Sequence, residues 1–174
     1  MSIPRRHANP AKIASGERTF FITASTWGKR NLLQCTRTAE LLIETIRAYR
    51  AQGKYRLHEF VVMPDHFHAL ITVDVNMTVE KAVQLMKGGF SFRAARELRI
   101  KAPFWQKGFS EIRVFDSETF ENQRHYIHHN PVKAHLAARP EEYSYSSASR
   151  ASDLDPMPER LKPVFLEELY GVLV

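Results

Sequence analysis

The chain has 174 residues, 44% of them hydrophobic, a formal charge of +6 and one cysteine. That length fills one core and leaves little room for two, while the lone Cys35 excludes an internal disulfide and a cysteine-rich zinc site. No stretch approaches the ~20 apolar residues of a membrane span and no apolar leader stands near the start, so a soluble, cytoplasmic protein is expected.

Residues 1–18 are polar and basic, with Pro4, Pro10 and Gly16, and read as a flexible arm. The aromatic and β-branched run Thr19 to Trp27 predicts a strand. Thr36 or Thr38 then caps a helix whose stripe is Leu41, Leu42, Thr45, Ile46 and Tyr49, with Gly53 as its stop. Tyr55 to Met63 and His66 to Val73 predict two strands joined through Pro64-Asp65 as a tight antiparallel hairpin. Thr78 caps a second helix with Val79, Val83, Met86, Phe90 and Leu98 inward. Gly88-Gly89 is expected to weaken or bend its middle, since glycine costs ~1 kcal/mol against alanine there.

A strand over Phe109 to Val114 comes after Pro103, and Asp116 or Ser117 caps a helix through Tyr126 that Pro131 ends or kinks near Asn130. The order β-α-β-β-α-β-α predicts an α+β fold, a ferredoxin-like antiparallel sheet with helices packed on one face. Residues 139–163 read as irregular covering chain, and Phe165 to Leu173 as a short last helix. The expected division is an arm over 1–18, one catalytic domain over 19–149 and a C-terminal extension over 150–174.

Charge points to the partner. Asp153, Asp155, Glu159, Glu167 and Glu168 outweigh Arg160 and Lys162 after residue 150, which leaves +9 on residues 1–150 and favours a polyanion. Lys81, Lys87, Arg93, Arg96, Arg99, Lys101, Lys107 and Arg113 cluster along the second helix and the next strand. Phe104, Trp105 and Phe109 are interleaved with them, a pattern that suits phosphates and unpaired bases. The residues singled out for DNA contact are Lys87, Arg93, Trp105 and Lys107. The same alternation also describes an ordinary amphipathic surface.

Two segments carry chemistry. In Met63-Pro64-Asp65-His66-Phe67-His68, residues two apart on a strand share a face, so His66 and His68 can hold one cation between them. A pair at this spacing also arises by chance. In Arg124-His125-Tyr126-Ile127-His128-His129-Asn130-Pro131, Tyr126 and Asn130 lie four apart on one helix face and suit a nucleophile beside a metal ligand. His129, three residues after Tyr126, is the rival third ligand. Tyr126 also fits a core residue with its hydroxyl at the surface.

Four ordered blocks resemble the HUH single-tyrosine transposases, most closely the branch associated with repetitive extragenic palindromes. They are Phe21-Ile22-Thr23, then Val62 to Leu70, then Phe104-Trp105-Gln106-Lys107-Gly108-Phe109, and lastly Tyr126-Ile127-His128-His129-Asn130-Pro131-Val132-Lys133-Ala134. The resemblance spans about Thr19 to Ser149. It implies His66 and His68 as paired metal ligands, Asn130 as the third and Tyr126 as the nucleophile. The implied activity is metal-dependent cleavage and rejoining of single-stranded DNA at or near hairpin or palindromic repeats, through a 5′-phosphotyrosine intermediate. The cofactor implied is Mg²⁺ or Mn²⁺, with no nucleotide, and the protein is a monomer or a homodimer. One departure is visible: members commonly continue Ala-Gly after the basic residue, whereas here Ala134 is followed by His135. Two other classes fit the residues without the resemblance, a non-catalytic nucleic-acid-binding module and a metal-bound structural domain.

Overall fold

The computed structural model describes residues 16–163. Four strands, β1 (Arg18–Ser25), β2 (Arg56–Met63), β3 (His66–Val73) and β4 (Ser110–Val114), form one sheet in the order β2-β3-β1-β4. Each neighbouring pair is antiparallel. Three helices accompany it, α1 (Thr36–Ala51), α2 (Val79–Glu97) and α3 (Ser117–Lys133). This is the expected α+β order. The expected helix over residues 165–173, and the arm up to residue 15, lie outside the described residues. Among the described residues no helix is long and apolar enough to cross a membrane.

The sheet is covered on both faces, not on one. Phe20, Ile22, Ala24, Phe67, Ala69 and Ile71 point into a large core with Leu42 and Ile46 of α1 and Val83, Met86 and Phe90 of α2. Phe21, Val61, Met63 and Leu70 point the other way, into a smaller core with Phe120 and Ile127 of α3. Periodicity finds an apolar stripe on a helix but does not say which side of a sheet will receive it, hence the difference from expectation.

Local details arise from side-chain chemistry. Thr78 accepts from the Lys81 amide at 3.1 Å and Asp116 from the Thr119 amide at 2.7 Å, so both expected caps form. The cap of α1 is instead Cys35, one residue ahead of Thr36. β1 stops at Ser25, before the expected Trp27, because the chain turns into a tight 3₁₀ turn over Trp27–Lys29 with Gly28 at φ 60°. α2 runs unbroken through Gly88-Gly89. A Cβ at Gly89 would stand 2.7 Å from Tyr49 Cε2 and 2.9 Å from Thr45 Cγ2, so glycine there permits the close crossing of α1 and α2.

α3 also continues through Pro131 to Lys133, past its expected end. Proline removes only the amide that would have reached the Ile127 carbonyl, and its ring is buried. Three residues later the helix closes with a Schellman pair, Leu136 N–H to Pro131 O at 2.8 Å and His135 N–H to Val132 O at 3.0 Å. His135 takes the left-handed conformation, φ 58°, that this motif usually gives to glycine.

The segment after α3 seals the free edge of β2. Val62 N–H donates to Tyr145 O and Ser147 N–H to Phe60 O, both at 2.9 Å, while Tyr143 Oη–H donates to Val62 O at 2.8 Å. Beyond residue 150 the chain stays fastened to the body. Asp155 accepts two hydrogen bonds from Arg50 and one from the Leu57 amide, all at 2.8 Å.

Candidate active site

The two histidines stand on the smaller-core face, near one end of the sheet. On β3, His66 and His68 pair with Ser25 and Thr23 of β1. Their rings lie 4.8 Å apart between centroids at 76°. Each ring has one nitrogen already engaged. His66 Nδ1 meets Asp65 Oδ1 at 2.6 Å, and His68 Nδ1 meets Thr23 Oγ1 at 2.7 Å. Nε2 of His66 has no partner among the described residues and Nε2 of His68 meets only Asn130, the arrangement in which outer-shell partners orient metal-binding imidazoles. His68 is 4% exposed, and burial, with the His66 charge beside it, pushes its pKa down to about 3, so the ring is neutral at physiological pH.

α3 brings the other two residues. Asn130 Nδ2 lies 3.3 Å from His68 Nε2, and a half-turn of the amide puts Oδ1 in that place. The Tyr126 ring stands 5.3 Å from His68 and 5.7 Å from Phe21, edge-on to both, while Phe21 itself stacks on His68 at 5.1 Å. Tyr126 is 39% exposed, so the side chain that would be the nucleophile stands at the surface of the site. His129 is turned elsewhere, stacked 3.8 Å from His125 with its Nδ1 on the His125 carbonyl. Asn130 rather than His129 is therefore the helix residue beside the histidine pair.

Two imidazoles and one amide oxygen make a donor set that suits a divalent cation of intermediate hardness. Among the described residues no three His, Cys, Asp or Glu side chains come together to hold a metal, so any such site here depends on Asn130 or on substrate oxygens for its third ligand.

A feature absent from the sequence reading holds α3 in place. β2 carries an irregularity between Leu57 and Glu59, so that Leu57 pairs with Ile71 on one face and Glu59 with Leu70 on the other. Glu59 thereby points at α3 and is 5% exposed. It accepts from Arg124 Nε at 2.8 Å, His128 Nε2 at 2.7 Å and Ser147 Oγ at 2.5 Å. Burial raises its pKa, but hydrogen bonds from His128 and Ser147, with the charges of His128 and Arg124, outweigh this and hold the carboxyl below its usual range. Arg124 and His128 flank Tyr126 by two residues on either side. A charged residue directly ahead of the apolar run Phe60-Val61-Val62-Met63 was the available signal, because a buried carboxylate requires partners.

Three of the four residues singled out for DNA contact are engaged inside the protein. Lys87 Nζ donates to the carbonyls of Gln106 and Gly108 at 2.8 and 2.7 Å, and burial pushes its ammonium below the ordinary value. Trp105 Nε1 donates to Lys87 O at 3.0 Å, and its ring packs on Phe67 and Phe90. Arg93 is paired with Glu44 and Glu97. Lys107 alone is exposed. The Trp105-Gln106-Lys107-Gly108-Phe109 block is thus a brace: Gln106 N–H bonds Ser25 O at 2.9 Å and ties the loop to the site end of β1. Beside it the indole of Trp27 is 51% exposed, with Lys29 and Arg30 next to it at the surface.

An antiparallel sheet carrying paired histidines against a tyrosine-bearing helix is the architecture of the single-tyrosine transposases. The fold matches the structure of a REP-associated tyrosine transposase bound to a REP hairpin, with TM-score 0.69 and 21% identity over 95% of this chain and 99% of that one. It also matches a Deinococcus radiodurans chain assigned as a transposase, with TM-score 0.52 and 20% identity over 73% of this chain and 95% of that one. The IS200-like transposase family model matches residues 21–130, and the chain belongs to that family. No curated protein matches it.

Proposed function

We propose that this transposase nicks and rejoins single-stranded DNA through a covalent 5′-phosphotyrosine on Tyr126, acting at or near hairpin or palindromic repeats. The observation that carries the reading is the meeting of Tyr126 and Asn130 on α3 with His66 and His68 on β3. Family membership and the hairpin-bound structural relative support the same substrate class. Residues 19–149 are the catalytic domain in this reading, with an arm before them and an extension after.

His66, His68 and Asn130 would hold a divalent cation, Mg²⁺ or Mn²⁺, which when bound polarises the scissile phosphodiester. The protein's own groups do the rest. Asp65 and Thr23 fix the ring orientations of His66 and His68. Phe21 and His68 pack edge-on against the Tyr126 ring and limit its movement. The Tyr126 oxygen attacks phosphorus, the 3′ oxygen leaves, and the ester energy is kept in the phosphotyrosine, so no nucleotide is consumed. Attack by another 3′ hydroxyl reverses the step and joins strands. Lys87, Arg93, Trp105 and Lys107 stay the proposed DNA contacts, and the exposed indole of Trp27 offers an unpaired base a further stacking surface.

The test is incubation of the chain with an end-labelled single-stranded hairpin and Mn²⁺, then a denaturing gel. A protein–DNA adduct that requires the metal and vanishes in Tyr126→Phe is the expected result. An adduct surviving in Tyr126→Phe would move the nucleophile elsewhere.

A further inference from the structure

The helix that carries Tyr126 and Asn130 presents a third functional group on the same side. At 100° per residue, positions 126, 130 and 133 form one stripe, and Lys133 is the last residue of α3. Its ammonium lies 5.5 Å from the centre of the Tyr126 ring. Lys133 is exposed, and among the described residues no carboxylate pairs with it. Most basic side chains around the site are already employed: Arg124 on Glu59 and Glu121, Lys87 on carbonyls, Lys29 on Ser25 and near Asp65. A cation held over the phenol without an acidic partner is set for an anion that comes from outside the protein.

We propose that Lys133 is a catalytic residue of the nicking and joining reaction, binding a non-bridging oxygen of the scissile phosphate and stabilising negative charge on the tyrosine oxygen as it enters and leaves. This rests on Tyr126 being the nucleophile. In the forward step the Tyr126 Oη–P bond forms and the P–O3′ bond breaks. The phenolic proton passes to solvent and the departing 3′ oxygen takes one from solvent. The ammonium keeps its proton throughout. In the reverse step the tyrosine oxygen is the leaving group and the same charge assists its departure.

Two rates separate this role from simple DNA affinity. The first is adduct formation in a single turnover at saturating hairpin with Mn²⁺; the second is rejoining from the purified adduct, where DNA is already tethered and affinity for it no longer matters. Lys133→Ala should slow both by about a hundredfold, the loss typical of one donor removed from developing charge. Its affinity for the hairpin, measured in the Tyr126→Phe background, should fall less than about fivefold. Lys133→Arg keeps the charge and should recover most of both rates. An alanine variant within about threefold of wild type in either rate would overturn the proposal, as would a loss fully restored by more DNA. An arginine variant as slow as alanine would overturn it too. If the wild-type chain forms no adduct, or Tyr126→Phe still does, the nicking reading itself fails, and these results are distinct from a wild-type adduct that is indifferent to residue 133.

Discussion

The two faces of the sheet are built on different principles. The α1/α2 face is a continuous apolar interior in which Phe67, Phe90, Leu42, Ile46 and Met86 are wholly covered. The α3 face buries Phe120 and Ile127 but otherwise joins helix to sheet through polar groups, Glu59 with Arg124, His128 and Ser147 on one flank and His68 with Asn130 on the other. Apolar packing is tolerant of small shifts because it has no direction, whereas a hydrogen-bonded carboxylate fixes both distance and angle. A site needing its tyrosine within ångströms of two imidazoles gains more from the second kind of joint. The larger share of hydrophobic burial falls to the other side of the sheet.

The comparison breaks most sharply with paired substitutions. Tyr126→Phe, on the polar face, should abolish the DNA adduct while leaving the melting temperature within about a degree, because it removes one hydroxyl from a partly exposed residue. Phe90→Ala, on the apolar face, should cost about 3–5 kcal/mol of stability by leaving a cavity between α2 and the sheet. Its activity per folded molecule should survive. Denaturant melts combined with the gel assay check both. A Phe90→Ala protein that is fully stable, or folded but inactive, would show that the faces are not separable in this way.

Glu59→Gln is the next in size and probes the polar joint directly. It removes the charge facing Arg124 and His128 while keeping the volume, and should cost about 1–3 kcal/mol. The pH dependence has a definite sign. Because the folded carboxyl is held below its ordinary value, its contribution is complete above about pH 4.3 and is lost as pH falls further toward the folded value. The stability gap between wild type and Glu59→Gln should therefore narrow as pH falls below about 4.3. A gap that stays constant over that range would mean that shape, not charge, is what Glu59 supplies.

Much of this arrangement is legible in the amino-acid order. The β2–β3 hairpin and its paired histidines emerge from alternation and from Pro64-Asp65, and Thr78 and Asp116 announce their helices by side-chain chemistry alone. The face occupied by α3 is not legible, since its buried stripe is only Phe120, Ile127 and Pro131 and matches either side of a sheet. Glu59 is hidden for a different reason. Strict alternation puts it on the same face as Leu57, and only the irregularity around His58 sends it to the other. The internal hydrogen bonds of Lys87 and Trp105 are not legible either, because a cation beside an aromatic ring reads the same whether it meets a phosphate or two carbonyls of its own chain.

The smallest effect concerns the end of α3. The Schellman closure requires a left-handed residue at position 135, and histidine occupies it at φ 58° where a side chain raises the energy by about 1–2 kcal/mol relative to the right-handed region. Glycine removes that strain but gains freedom in the unfolded chain, which offsets part of the benefit. His135→Gly should thus raise stability by about 0.5–1 kcal/mol, measured as a shift of the urea midpoint at unchanged slope. The gain should be smaller than the loss in Glu59→Gln, because the carboxylate fixes the middle of α3 and residue 135 only its exit. A destabilised glycine variant would mean that the His135 side chain makes a compensating contact, and that the helix end is held by it and not by the two backbone hydrogen bonds.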